Sequence, residues 1–184
     1  MSSDLVLPQT TLSRRIDGVL VRLGNATSWL WLLLTGVIMM NVIMRYLFAE
    51  GRIEFEEIQW HLYAAGFLLG LAPAYIVDAH IRVDVIRHRF SVTTQAWIEL
   101  YGTLLLLLPF VLLVLVASFP LVEYSFRTAE VSGAPGGLPY RWFIKSFLTL
   151  GFALMLLAVV SRLSRVMAFL FGWPGQSGDA SESG

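Results

Sequence analysis

The sequence predicts an all-α integral membrane protein: four transmembrane helices, preceded by a short N-terminal amphipathic interfacial helix. Three observations predict this. Of 184 residues, 57% are hydrophobic and 14% charged, too little polar surface for a soluble domain of this length. The apolar residues gather into four runs near the ~20-residue length that a bilayer demands of a helix. Trp29, Trp31, Trp60, Trp97, Trp142 and Trp173 fall near the ends of those runs, where indole rings settle at the lipid–water boundary.

The elements follow in chain order. Residues 1–25 form a cytoplasmic N-terminal segment. Within it Leu12, Ile16, Val19, Leu20 and Leu23 share one helical face, with Arg14, Arg15 and Arg22 largely off it, the pattern of a helix lying in the interface. The membrane domain covers 26–173. Its first span, about 26–48, carries one charge, Arg45, in its last turn. The second, about 58–77, carries none. Pro73 removes a backbone hydrogen bond near its end and is expected to bend it. The third, about 97–122, is uncharged from Leu100 to Val122, with Pro109 as a second expected bend. The fourth, about 142–163, has a short uncharged core, Ser146 to Ser161. It reaches spanning length if Lys145 and Arg162 snorkel from its two ends. The small, polar tail, 174–184, reads as disordered. The first apolar run is too long for a removable signal peptide, and no A-x-A site follows it.

Arginine and lysine set the orientation. Arg14, Arg15, Arg22, Arg82, Arg87, Arg89, Arg162 and Arg165 share one side of a four-span layout. They outnumber Arg45, Arg52, Arg127, Arg141 and Lys145 on the other. The positive-inside rule then places both termini and the second loop in the cytoplasm. A net charge of zero gives no reason to expect nucleic acid. The absence of cysteine removes disulfides, thiolate metal sites and thiol nucleophiles.

Candidate chemistry is sparse. Pumps and carriers keep ionisable groups deep in the bundle, and the four runs hold almost none. His61 and His80 stand some 19 residues apart, too far along one helix to share an ion. His80, Asp84 and His88 fall on one helical face. With Asp78 four residues before Arg82, that face reads as self-paired and solvated rather than as a metal site. Glu54, Glu56 and Glu57 lie near His61, a grouping capable of acid–base work. At a helix N-terminus the same carboxylates are favoured by the helix dipole alone. No nucleophile elbow, phosphate loop or zinc-protease motif is present, so neither an enzyme nor a cofactor is expected. What the chain does offer is packing surface: Gly66, Gly70 and Ala74, four residues apart, form a stripe on which another helix can approach closely.

The stretch "EEIQWHLYAAGFLLGLAPAYIVDAHIRVDVIRHRFS", Glu56 to Ser91, resembles the small membrane subunit (the DctQ-like, or Q, component) of TRAP transporters, the tripartite ATP-independent periplasmic transporters. The shared features are the acidic pair Glu56–Glu57, the glycines Gly66 and Gly70, and the segment containing His80, Arg82 and Asp84. "GGLPYRWFIK", Gly136 to Lys145, is similar to the outer loop of one subgroup. The resemblance implies a bacterial inner-membrane protein that acts as a fixed scaffold for a large elevator-type subunit. That complex would take up organic acids, with sodium as the coupling ion, from a periplasmic binding protein. It makes His80, Arg82, Asp84 and Arg87 a cytoplasmic joint meeting the large subunit or phospholipids. Glu54, Glu56, Glu57, Arg127 and Arg141 become the periplasmic end, where the binding protein docks. Two other readings stay open on the residues alone: a membrane anchor of a respiratory complex, and a generic membrane assembly scaffold.

Overall fold

The computed structural model describes residues 5–79 and 90–173, and all its regular elements are helical. Helix α1 (Thr11–Leu47) opens with a reciprocal cap. Thr10 Oγ1 accepts from Ser13 N, and Thr10 N donates back to Ser13 Oγ, both at 3.0 Å, satisfying two donors a helix start leaves bare. It ends where Ala49 turns to φ +55°. Helix α2 (Ile53–Ile76) has Glu54 and Glu56 in its first turn and Pro73 in its last. Ser91 caps α3 (Val92–Tyr101) through Thr94 N at 3.2 Å. A π-helical turn, Gly102–Leu107, joins α3 without a break to α4 (Leu108–Arg127). Helix α5 (Arg141–Phe171) starts after Tyr140, at φ +63°, and stops at Gly172, at φ +67°, a left-handed position that glycine takes without steric cost.

Among the described residues three helical stretches are long and apolar enough to cross a membrane: Thr11–Leu47, Val92–Arg127 and Arg141–Phe171. The expected second span forms as α2, but Gln59, His61, Tyr63 and Pro73 dilute its apolar character and it falls outside that group. The expected separate surface helix corrects to something else. Its residues are the first third of one 37-residue helix. Gly24 and Asn25 are weak helix formers but not breakers; of the segment's apolar face, Leu20 is fully buried and Ile16 packs on the core, while Leu12, Val19 and Leu23 stay exposed.

Helix α5 organises the bundle and touches every other helix; α2 packs between it and α1. The core is Leu20, Ala72, Val111, Met155, Ala158 and Val159. Two contacts bring backbones very close. A Cβ on Gly151 would lie 2.7 Å from Leu68 O, and one on Gly24 would lie 2.8 Å from Pro73 Cβ. Small residues therefore set the α2–α5 and α1–α2 spacing. On α1 the buried positions are Ser13, Leu20, Thr27 and Leu34, a seven-residue repeat that keeps one face toward its neighbours.

Candidate functional site

Charged and hydroxyl groups collect at the two ends of the bundle. At the end where α2 begins and α5 starts, Glu57 reaches into the loop between α4 and α5. Its carboxylate accepts from the Ser132 hydroxyl and, at 2.6 Å, from Leu138 N–H. Those two bonds hold the Glu57 carboxyl below its ordinary range. The loop closes on itself through Ser132 N to Leu138 O at 3.1 Å. Glu130 accepts from Lys145 Nζ at 2.5 Å and faces Arg141 Nε at 3.7 Å. The Lys145 bond lowers the pKa of the Glu130 carboxyl as well. Arg141 Nη1 lies 3.5 Å from Ser132 Oγ, so both carboxylates serve one loop. Glu56 pairs with Arg45, tying the end of α1 to the start of α2.

At the opposite end Arg162 is the centre. Its side chain is 4% exposed. Nε donates to Glu99 Oε1 on α3 at 2.8 Å, and Nη1 to Asp78, just past α2, at 2.9 Å from Oδ1. The guanidinium also lies over the Tyr75 ring, 5.9 Å from its centroid. One α5 side chain thus holds two further helices. Beside it, Ser161 Oγ donates to Asp17 Oδ1 at 2.5 Å, Arg165 Nη2 donates to Leu7 O at 3.2 Å, and Thr10 and Ser164 share a hydrogen bond at 3.1 Å. These fasten the N-terminal segment to α5. The snorkelling expected of Arg162 is corrected accordingly. With carboxylates from two neighbouring helices in reach, the guanidinium gains more by staying in the bundle than by reaching for water. Lys145 likewise turns to Glu130.

The structure sorts the residues singled out in the sequence. Glu57 and Arg141 come together on the loop, and Glu54 Oε1 lies beside Gly136. Arg127 stands apart, paired along its own helix with Glu123 at 2.5 Å. Over Gly66 the space is taken by the Trp31 ring of α1, 3.4 Å from where a Cβ would lie. Gly70 and Ala74 instead line a groove of about 330 Å³ with Gly24, Asn25, Ser28 and Pro73. His61 Nδ1 sits 2.5 Å from Glu57 O. The joint residues His80, Arg82, Asp84 and Arg87 lie outside the described residues, as does the 174–184 tail. Sequence reasoning missed the Arg162 cluster, Ser132, Glu130 and the Gly151 contact. An arginine near a span end with Glu99 at another was the available signal.

Side chains that tie helices together at both ends, in a bundle whose longest helices can cross a membrane, define a membrane-embedded helical component. The family described as "Tripartite ATP-independent periplasmic transporters, DctQ component" matches residues 34–169. The chain belongs to this family: it is a component of a TRAP transporter, from a family of transport components rather than of enzymes. A comparison with curated proteins finds no match.

Proposed function

We propose that this chain is the small permease subunit, the fixed scaffold beside a large elevator-type subunit in ion-coupled uptake of organic acids from a periplasmic binding protein. The observation that carries the reading is Arg162. A buried cation held by one carboxylate on α3 and one just past the end of α2 serves to lock helices together, and a lock suits a part that stays still while its partner moves. Helix α2, packed between α1 and α5, is the fourth crossing in this reading. Both termini and the joint His80, Arg82, Asp84 and Arg87 face the cytoplasm of a bacterial inner membrane. Glu54, Glu56, Glu57, Arg127 and Arg141 face the periplasm, where the loop held by Glu57 and Arg141 meets the binding protein. Gly70 and Ala74 receive a helix of the large subunit. Phospholipid chains occupy the apolar groove of about 810 Å³ lined by Leu62, Ala65, Leu138, Tyr140 and Phe143. Sodium is the coupling ion.

The test is affinity purification of the chain from its native membranes in mild detergent, with mass spectrometry of what accompanies it. A large polytopic protein in near-equal amount is the expected result. Recovery alone, or with respiratory subunits, refutes the scaffold reading.

A further inference from the structure

We infer that the π-turn between α3 and α4 is a register adapter: it absorbs one residue more than the helix needs, so that both halves of the rod show the same face to α5. Along Val92–Arg127 the interior is marked by Ala96, fully buried with its neighbour Gln95 nearly so, then Thr103, Val111, Ser118 and Ser125. Counted from Ala96 the steps are seven, eight, seven and seven residues. In an ideal α-helix seven residues bring the face back to within about 20°, whereas eight overshoot by about 80°. The eight-residue step is the one that holds the turn. There Leu108 N donates to Thr103 O, five residues back. A turn closed over five residues is wider and rotates less per residue, so the extra residue adds length without rotating the face.

The local sequence explains why the turn sits where it does. Pro109 has no N–H for Leu105 O, and its ring crowds that carbonyl. The contacts on either side explain why register matters. Below the turn Glu99 meets Arg162 at 2.8 Å, and at the turn's lower edge the Thr103 hydroxyl lies 3.4 Å from that of Tyr75. Above it Thr149 Oγ1 donates to Ser118 Oγ at 2.9 Å. Straightening the turn without removing a residue would swing one set of contacts away from its partners. The opposite side of the turn carries the surplus outward, with Leu105 64% and Leu106 75% exposed. The inference concerns the fold of this chain alone and does not rest on the transporter reading.

The test uses the full chain in membranes, and the absence of cysteine makes it direct. Two reporter pairs are made, each in a Pro109→Ala parent: Ser118→Cys with Thr149→Cys above the turn, joined as a disulfide, and Tyr75→Cys with Thr103→Cys at its lower edge, joined by a rigid bismaleimide long enough to replace the tyrosine ring that makes the contact. Deleting Leu105 then removes the surplus residue and allows a plain α-helix. Both crosslinks are expected to form within twofold of the parent. Deleting Val114, in the straight part of α4, should cost at least one of them tenfold or more. The inference is overturned if the Leu105 deletion breaks either crosslink or stops the chain accumulating when the parent accumulates. It is equally overturned if the Val114 deletion leaves both intact.

Discussion

Replacing Arg162 with alanine should cost about 3 kcal/mol of bundle stability, the low end of the ~3–5 kcal/mol that follows removal of one member of a buried ion pair. The structure points to the low end because its two acids differ in exposure. The Glu99 side chain is 18% exposed and that of Asp78 43%, so Asp78 recovers much of its hydration when the guanidinium goes. Loss of the contact with the Tyr75 ring adds about 0.5–1 kcal/mol, with the two terms sharing one side chain and not simply adding. At 1.4 kcal/mol per tenfold, 3 kcal/mol is roughly a hundredfold shift in the folding equilibrium. Reversible unfolding in mixed micelles, followed by tryptophan fluorescence, measures it. Adding Glu99→Gln to Arg162→Ala should restore about half the loss, because the charge that Arg162 had balanced is gone. A loss under about 0.5 kcal/mol, or no recovery from the second substitution, refutes the assignment of Arg162 as the lock.

Four further outcomes follow from the geometry. Gly151→Ala forces a Cβ against Leu68 O, a backbone atom that cannot step aside, and should cost ~1–3 kcal/mol, read as a fall in Tm. Gly70→Ala meets nothing within 4 Å and should leave the isolated chain as stable or up to ~1 kcal/mol more so, while weakening capture of a partner helix in a pull-down. The outer loop should loosen only in acid. The Glu57 and Glu130 carboxyls are held below the ordinary carboxylate range, so their contribution is present above that range and is lost as pH falls through the lower folded-state pKa. Exchange at the Leu138 amide, corrected for its intrinsic rate, should stay flat from pH 6 to 8 and quicken in acid, and Glu57→Gln should quicken it at every pH. Arg45→Gln breaks only a half-exposed pair and should change stability by less than ~1 kcal/mol in the same unfolding assay.

Much of the helix count was legible because runs of apolar residues need no partner to be recognised. The interior of the bundle was not, and the reason is physical. In a lipid-facing chain the outside is as apolar as the inside, so hydropathy carries no periodic signal. The interior is marked instead by a seven-residue repeat in which hydroxyl residues recur, Ser13 and Thr27 alternating with Leu20 and Leu34 on α1, and Ser118 followed by Ser125 on α4. The conspicuous Gly66–Gly70 pair drew attention as a partner surface, yet the closest backbone approach belongs to the solitary Gly151. Arg162 was misread because a span-end arginine bound to carboxylates looks the same in sequence as one reaching for water. Its acids lie 63 and 84 residues away, a separation no local pattern reveals. The family motif around Glu56–Ser91 was readable and identified the class, although residues 80–89 of it lie outside the described residues.

The bonds that fasten the N-terminal segment have a consequence in time. Asp17 finds Ser161 across 144 residues, and Thr10 finds Ser164 across 154. At a synthesis rate of about 5–20 residues per second, the start of the chain waits on the order of 10–30 s for its partners to be made. Among the described helices α1 leaves the ribosome before the others and α5 after them, yet α5 touches all the others. Closure of the bundle therefore waits on the synthesis of α5. A chain cut short before Ser161 would leave its first helix in the membrane with the polar groups of Thr10 and Asp17 still waiting, a ready signal by which unfinished subunits can be told from finished ones.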